Sequence, residues 1–221
     1  MKILKKMARI ALATCIVVAL SLHYGSNIGA QSQTVDPALA AVMQKLVDDP
    51  TTPAQYSAAV KLHVKLRIFP FISLTLKGNS VYKRPGLYHF VFRGVPKAVE
   101  HFSDLAYDLG NPNSWVQKYT ISLLTPPSAG VDPVLRLIPK RHGMVKALDV
   151  AVNMEKGHIM KAVWSRFDGG TISLAQHYNT VGTHELVREQ NATIDIPHMK
   201  AELVADYSAF NLYAGGFSLP K

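Results

Sequence analysis

From Val60 to Ile68 the even positions are aliphatic and the odd positions are Lys61, His63, Lys65 and Arg67. A period of two describes a strand with one buried and one wet face. Phe69-Pro70-Phe71 interrupts it, and Ile72, Leu74 and Leu76 then alternate with Ser73, Thr75 and Lys77. Arg84-Pro85-Gly86 reads as a turn into Leu87–Arg93, where Tyr88, Phe90 and Phe92 share a face. Two segments carry the helical period instead. Leu39, Val42, Met43, Leu46 and Val47 form one apolar stripe, opened by Asp36 as N-cap and Pro37 at the first helical position. Ala98, Val99, Phe102, Leu105, Ala106 and Leu109 form another, over Val95–Leu109, stopped at Gly110.

Beyond a loop at Asn111–Ser114 the strand pattern resumes from Trp115, with Tyr119, Ile121 and Leu123 on one face. Val134–Lys140 is short and extended. Val145–Asn153 and His158–Arg166 flank Glu155-Lys156-Gly157 as a hairpin, and Asp168-Gly169-Gly170 turns into Thr171–Tyr178. Asn191–Ile196 and Ala201–Leu212 complete about nine or ten strands. Many antiparallel strands with two amphipathic helices predict an α+β domain in which a curved sheet packs on helices.

Composition adds a leader. Residues 1–30 begin with Lys2, Lys5, Lys6 and Arg9, continue through the uncharged run Ile10–Leu22, and end in Ile28-Gly29-Ala30. This is the tripartite pattern of a secretory signal, too short to span a bilayer comfortably. Cleavage is expected after Ala30, leaving residues 31–221 as one domain. The only cysteine, Cys15, lies inside the leader, and Thr14 before it fits a lipidation site poorly. The mature chain would be cysteine-free, which excludes disulfides, thiol nucleophiles and Cys-based metal sites. The net charge of +9 falls to +5 without the leader. Export disfavours nucleic acid as a partner. The basic strand face is a solvated surface or a site for anionic headgroups or an acidic partner.

Catalytic motifs are few. No G-x-S-x-G elbow, H-E-x-x-H, P-loop or G-x-G-x-x-G occurs. His184-Glu185 begins like a zinc motif but places Arg188 where a second histidine belongs. No cofactor, metal ligand set or catalytic residue is expected; a hydrolase built on a dispersed His/Asp pair is the remaining enzymatic alternative. Asn191-Ala192-Thr193 matches a glycosylation sequon of no expected consequence. The bulky strand faces fit two arrangements equally, an ordinary core filled by helices or a wall left around a greasy cavity.

The order of these features resembles the LolA-type lipoprotein carrier superfamily of exported bacterial proteins. The match rests on Leu76-Lys77-Gly78 followed by Tyr82-Lys83-Arg84-Pro85-Gly86-Leu87-Tyr88-His89-Phe90, on Leu135-Arg136-Leu137-Ile138-Pro139-Lys140, and on Ile159–Trp164 before Asp168-Gly169-Gly170. A helix stands after the aromatic strand where the family has a further strand. The resemblance implies an incomplete antiparallel β-barrel wrapped around amphipathic helices, with a cavity for acyl chains. Its wall would be Leu62, Val64, Leu66, Leu74, Leu76, Tyr82, Tyr88, Phe90, Phe92, Ile121 and Trp164, with Arg84 as the lid contact. The implied function is a periplasmic, non-enzymatic and monomeric carrier of lipid or lipoprotein acyl chains to the outer membrane, working between membrane-embedded donor and acceptor proteins. The alternative is an envelope protein-binding or sensor module on the same fold.

Overall fold

The computed structural model describes residues 36–47, 52–67, 71–84, 87–92, 109 and 111–212, with the backbone alone for residues 87 and 88. The leader lies outside the described residues, as does the predicted helix Val95–Leu109 apart from Leu109, which is helical and buried. Helix α1 spans Pro37–Val47. Asp36 caps it, accepting the Ala38 N–H on Oδ1 at 2.9 Å.

Ten strands follow: β1 (Gln55–Leu66), β2 (Ser73–Lys83), β3 (Leu87–Phe92), β4 (Tyr119–Thr125), β5 (Val134–Pro139), β6 (Val145–Asn153), β7 (His158–Arg166), β8 (Thr171–Val181), β9 (His184–Ile196) and β10 (Met199–Leu212). They form one antiparallel sheet in the order β3-β2-β1-β10-β9-β8-β7-β6-β5-β4. Every neighbouring pair is consecutive in the chain except β1 and β10, so two meanders join along that seam. Among the described residues β3 and β4 are open edges, and the sheet is an unclosed barrel.

The predicted alternation holds along β1, where Tyr56, Ala58, Val60, Leu62 and Val64 are all buried. Register carries that inner face across the sheet: Leu62 lies opposite Leu76 and Ala205, Ile172 opposite Ile194 and Trp164, and Leu148 opposite Trp164 and Leu137. α1 buries Val42 and Leu46 against this face in one cluster with Leu135, Leu137, Val150 and Trp164. A second cluster, Leu62, Val64, Leu76, Ile194, Ile196, Ala201 and Leu203, consists of strand residues. Outer-face pairs such as Arg136 with Asp149, bidentate at 2.8 Å for both bonds, link β5 to β6 across the wet side.

Two local expectations are corrected. Asn111–Ser114 and Trp115 onward were expected as loop and strand. Instead Pro112–Ser114 is a 3-10 turn that runs into a short helix, α2 (Trp115–Lys118). Pro112 presets the helical φ, the Ser114 hydroxyl donates to the Asn111 carbonyl at 2.9 Å, and Trp115 reaches zero exposure in the core. The second correction is at β9, which begins at His184 rather than Asn191. Gly182, at φ +64, opens a two-residue turn between β8 and β9, and Val181 pairs with His184.

Candidate functional site

Register places the expected wall residues on one face of the sheet. Leu62, Val64, Leu76, Tyr82 and Trp164 are buried there; Leu66, Leu74, Phe90, Phe92 and Ile121 are half-buried. The Tyr88 backbone pairs with Tyr82, and its side chain lies outside the described residues. Ile121 and Trp164 pack in the cluster beneath α1, whereas Leu62, Val64, Leu66, Leu74, Leu76 and Phe92 belong to the second cluster, whose described members are all strand residues. Phe90 and Phe92 stack in parallel, with ring centroids 6.1 Å apart. Gly78 allows this approach, because a Cβ there would meet Phe92 Cδ1 at 2.7 Å and the Val91 carbonyl at 2.3 Å.

The face ends in a pocket of about 180 Å³ where β1, β7 and β9 begin. That is the size of a cavity that takes one benzene-sized group rather than a whole acyl chain. Its apolar wall draws on Leu46 of α1, Leu109, Ile159, Leu186 and Val187. Tyr56 and Tyr82 stack on one side at 5.1 Å, and Phe210 joins them at 6.2 Å from Tyr56. A bulge in β10 opposite Ser57–Ala59, with Ala209 at φ +49, lets both Tyr207 and Phe210 serve this end of the inner face.

The polar side is built from three turns. His158, the first residue of β7, is only 4% exposed and stacks on Tyr178 at 4.1 Å. Its Nδ1 lies 3.4 Å from Oε2 of Glu185. Lys156, in the β6–β7 turn, pairs with the other oxygen of Glu185. The hydrogen bond to Glu185 holds Lys156 above the ordinary lysine range, against a smaller lowering by desolvation. The Tyr178 hydroxyl reaches Gln176 Oε1 at 2.8 Å and the Ile159 carbonyl at 3.1 Å. Arg84, the expected lid contact, lines the same pocket and donates to the Thr52 carbonyl at 2.5 Å. Asn111 also lines it, and its Oδ1 is buried with no hydrogen-bond partner among the described residues.

Sequence reading placed Tyr82 and Arg84 here but missed His158, Lys156, Glu185, Tyr178 and Asn111. Glu155-Lys156-Gly157 is legible as a turn and His158 as the start of the strand after it. Glu185 was not, because it sits in the unassigned stretch that the Gly182 turn folds back onto β8. Among the described residues the lining offers threonine and tyrosine hydroxyls but no serine or cysteine. No grouping of three or more His, Asp, Glu or Cys side chains suited to a metal ion occurs among the described residues. The arrangement can grip a small polar group beside an apolar one.

No family model matches the chain, and no curated protein matches it in sequence. Solved structures do match in shape. A LolA superfamily protein from Nitrosomonas europaea superposes with a TM-score of 0.57 at 12% identity, over 82% of this chain and 94% of that one. A DUF1329 family protein from Desulfovibrio piger gives 0.57 at 12% identity, over 81% and 95%. An outer membrane lipoprotein-sorting protein domain from Vibrio parahaemolyticus gives 0.56 at 11% identity, over 81% and 93%. At these identities the likeness is one of fold, and the chain has the LolA-type fold.

Proposed function

We propose that this chain is an exported, non-enzymatic binding protein of the bacterial periplasm that carries the acyl chains of lipids or lipoproteins on the inner face of its half-barrel. The observation that carries the reading is the continuity of that face. From Tyr56 to Leu66 one strand alone contributes an unbroken row of inward apolar side chains. Ten residues of strand extend about 33 Å, and an acyl chain occupies about half of a ~30 Å hydrocarbon core, so the row is long enough to hold one. The fold's likeness to a lipoprotein-sorting domain supports the same reading.

Energetics shape what such a carrier must do. Burying about 16 methylenes at roughly 0.8 kcal/mol each gives about 13 kcal/mol gross, too much for easy release. Closing of the apolar face in the empty state would offset part of it. Donor and acceptor proteins in the two membranes would supply the rest of the directionality.

Native mass spectrometry of the mature protein, purified from membrane-containing cells without detergent, tests the reading. A one-to-one acyl adduct, identified after extraction, is expected. A clean apo mass that persists after incubation with lipid would overturn the carrier reading and favour a protein-binding module.

A further inference from the structure

The end of the sheet opposite the pocket collects the β1–β2, β5–β6, β7–β8 and β9–β10 turns. Backbone contacts tie them into one rim. The Arg67 N–H donates to the Lys200 carbonyl at 2.7 Å, and the Phe167 N–H donates to the Met144 carbonyl at 3.0 Å. Gly170 sits so close to the end of β9 that a Cβ on it would lie 3.0 Å from Ile196 Cα. On this rim Phe71 is 76% exposed, Ile72 41% and Phe167 67%. A lone exposed apolar side chain is ordinary on a protein surface. Here aromatic rings stand in water on two separate turns, where chain reversal favours Gly, Asn, Asp or Ser. Asp168 and the glycines after it already make the β7–β8 turn, with the Gly170 N–H donating to Asp168 Oδ1 at 3.0 Å. Among the described residues neither ring joins a core cluster.

The charges of the rim are one-sided. Among the described residues each of its acids already holds a cation: Asp168 pairs with Arg166 at 2.6 Å, Asp195 with Lys200 at 3.1 Å, and Glu202 with Arg67. Lys65, Lys140 and Lys146 are exposed and make no ion pair among the described residues. Lys140 spends one donor on the Val116 carbonyl. We propose that this rim seats the protein on an anionic phospholipid bilayer, with Phe71 and Phe167 in the interfacial layer and the three lysines over lipid phosphates. Aromatic rings favour that layer, and lysines close to an anionic surface add electrostatic attraction. Anchors on two turns fix one orientation, which turns the pocket end away from the bilayer. A second copy is a poorer occupant, because a two-fold contact through this rim would bring the same uncompensated lysines together. The surface is separate from the acyl-binding face, so the proposal stands or falls apart from the carrier reading.

The test sediments the mature protein with vesicles of phosphatidylethanolamine and phosphatidylglycerol, beside Phe71→Ser, Phe167→Ser, Lys146→Gln and Val131→Ser. Val131 is 51% exposed in the β4–β5 loop at the other end and serves as the control. Circular dichroism and a thermal melt confirm that each variant folds. The wild type is expected in the pellet and released by high salt. Each Phe→Ser change should weaken binding about tenfold and Lys146→Gln about fivefold, with Val131→Ser matching wild type. Wild type left in the supernatant, or all variants pelleting alike, would overturn the proposal. A concentration-dependent dimer by light scattering, abolished by Phe71→Ser and without vesicle binding, would overturn it in favour of a second copy. Acyl occupancy by native mass spectrometry should be the same in Phe167→Ser as in wild type, which tells a failure of docking from a failure of the carrier reading.

Discussion

Gly157 ties the β6–β7 turn to the end of α1, and the strength of that tie can be measured. The residue has φ +75, and a Cβ built on it would lie 2.6 Å from the Lys45 carbonyl oxygen. Gly157→Ala therefore carries two penalties. Left-handed backbone costs a non-glycine residue about 1–2 kcal/mol. Relieving the overlap displaces either the turn or the last turn of α1, an overpacking cost of about 1–3 kcal/mol. The expected total is about 2–5 kcal/mol, or a fall of roughly 4–20 °C in Tm for a domain of this size. Gly169→Ala supplies the control, because Gly169 has φ +80 with no atom within 4 Å of the added Cβ. It should lose only the backbone share, about 1–2 kcal/mol. Urea denaturation of the two variants beside wild type separates the contact from the strain. Equal losses would refute the reasoning, since α1 would then yield to the turn at no cost. Because Leu46 and Val47 line the pocket, Gly157→Ala should also weaken ligand binding, whereas Gly169→Ala should not.

Other expectations follow from single observations. Leu66→Asp and Phe90→Asp place a carboxylate on half-buried positions of the apolar face and should abolish acyl binding while leaving the far-ultraviolet dichroism of the sheet unchanged. Trp115→Ala empties a fully buried site beneath α1 and should cost about 3–5 kcal/mol by chemical denaturation. Arg166, through its side-chain hydrogen bonds, holds the Asp168 carboxyl below its ordinary value of 3.8. A depressed carboxylate contributes stability that is present above 3.8 and lost as pH falls through the folded value. Asp168→Asn should therefore be less stable than wild type near neutral pH and converge with it in acid, as followed by urea melts across that range.

How far the sequence could be read depended on whether alternation stayed regular. β1 and β2 announce themselves because Val60, Leu62, Val64, Leu74 and Leu76 alternate without a break, and the inner face follows from their register. The Asp36 cap was legible because its chemistry is local. β9 was half-missed because a bulge opposite His177 and Tyr178 makes the adjacent residues Leu186 and Val187 both buried, which erases the period of two. The Trp115 turn was missed because an aromatic residue before a strand looks like part of it. For the pocket the obstacle was distance in the chain: His158, Glu185 and Asn111 meet only once the sheet has formed. No spacing rule links them.

The β1–β10 seam has a consequence for how the chain reaches this structure. β1 to β3 and β4 to β10 can each zip up by neighbouring hairpins, which are quick to close. Joining them requires Val60 to find Tyr207 and Leu66 to find Ala201 across nearly the whole domain, a slow, late docking step. Until β10 arrives, β1 offers an open edge with Val60, Leu62, Val64 and Leu66 along one side, the kind of template that recruits foreign strands. A chain stopped before Met199 should thus clump instead of yielding a smaller soluble domain. During synthesis or passage through a pore, the first hairpins need shielding until the last strand is delivered.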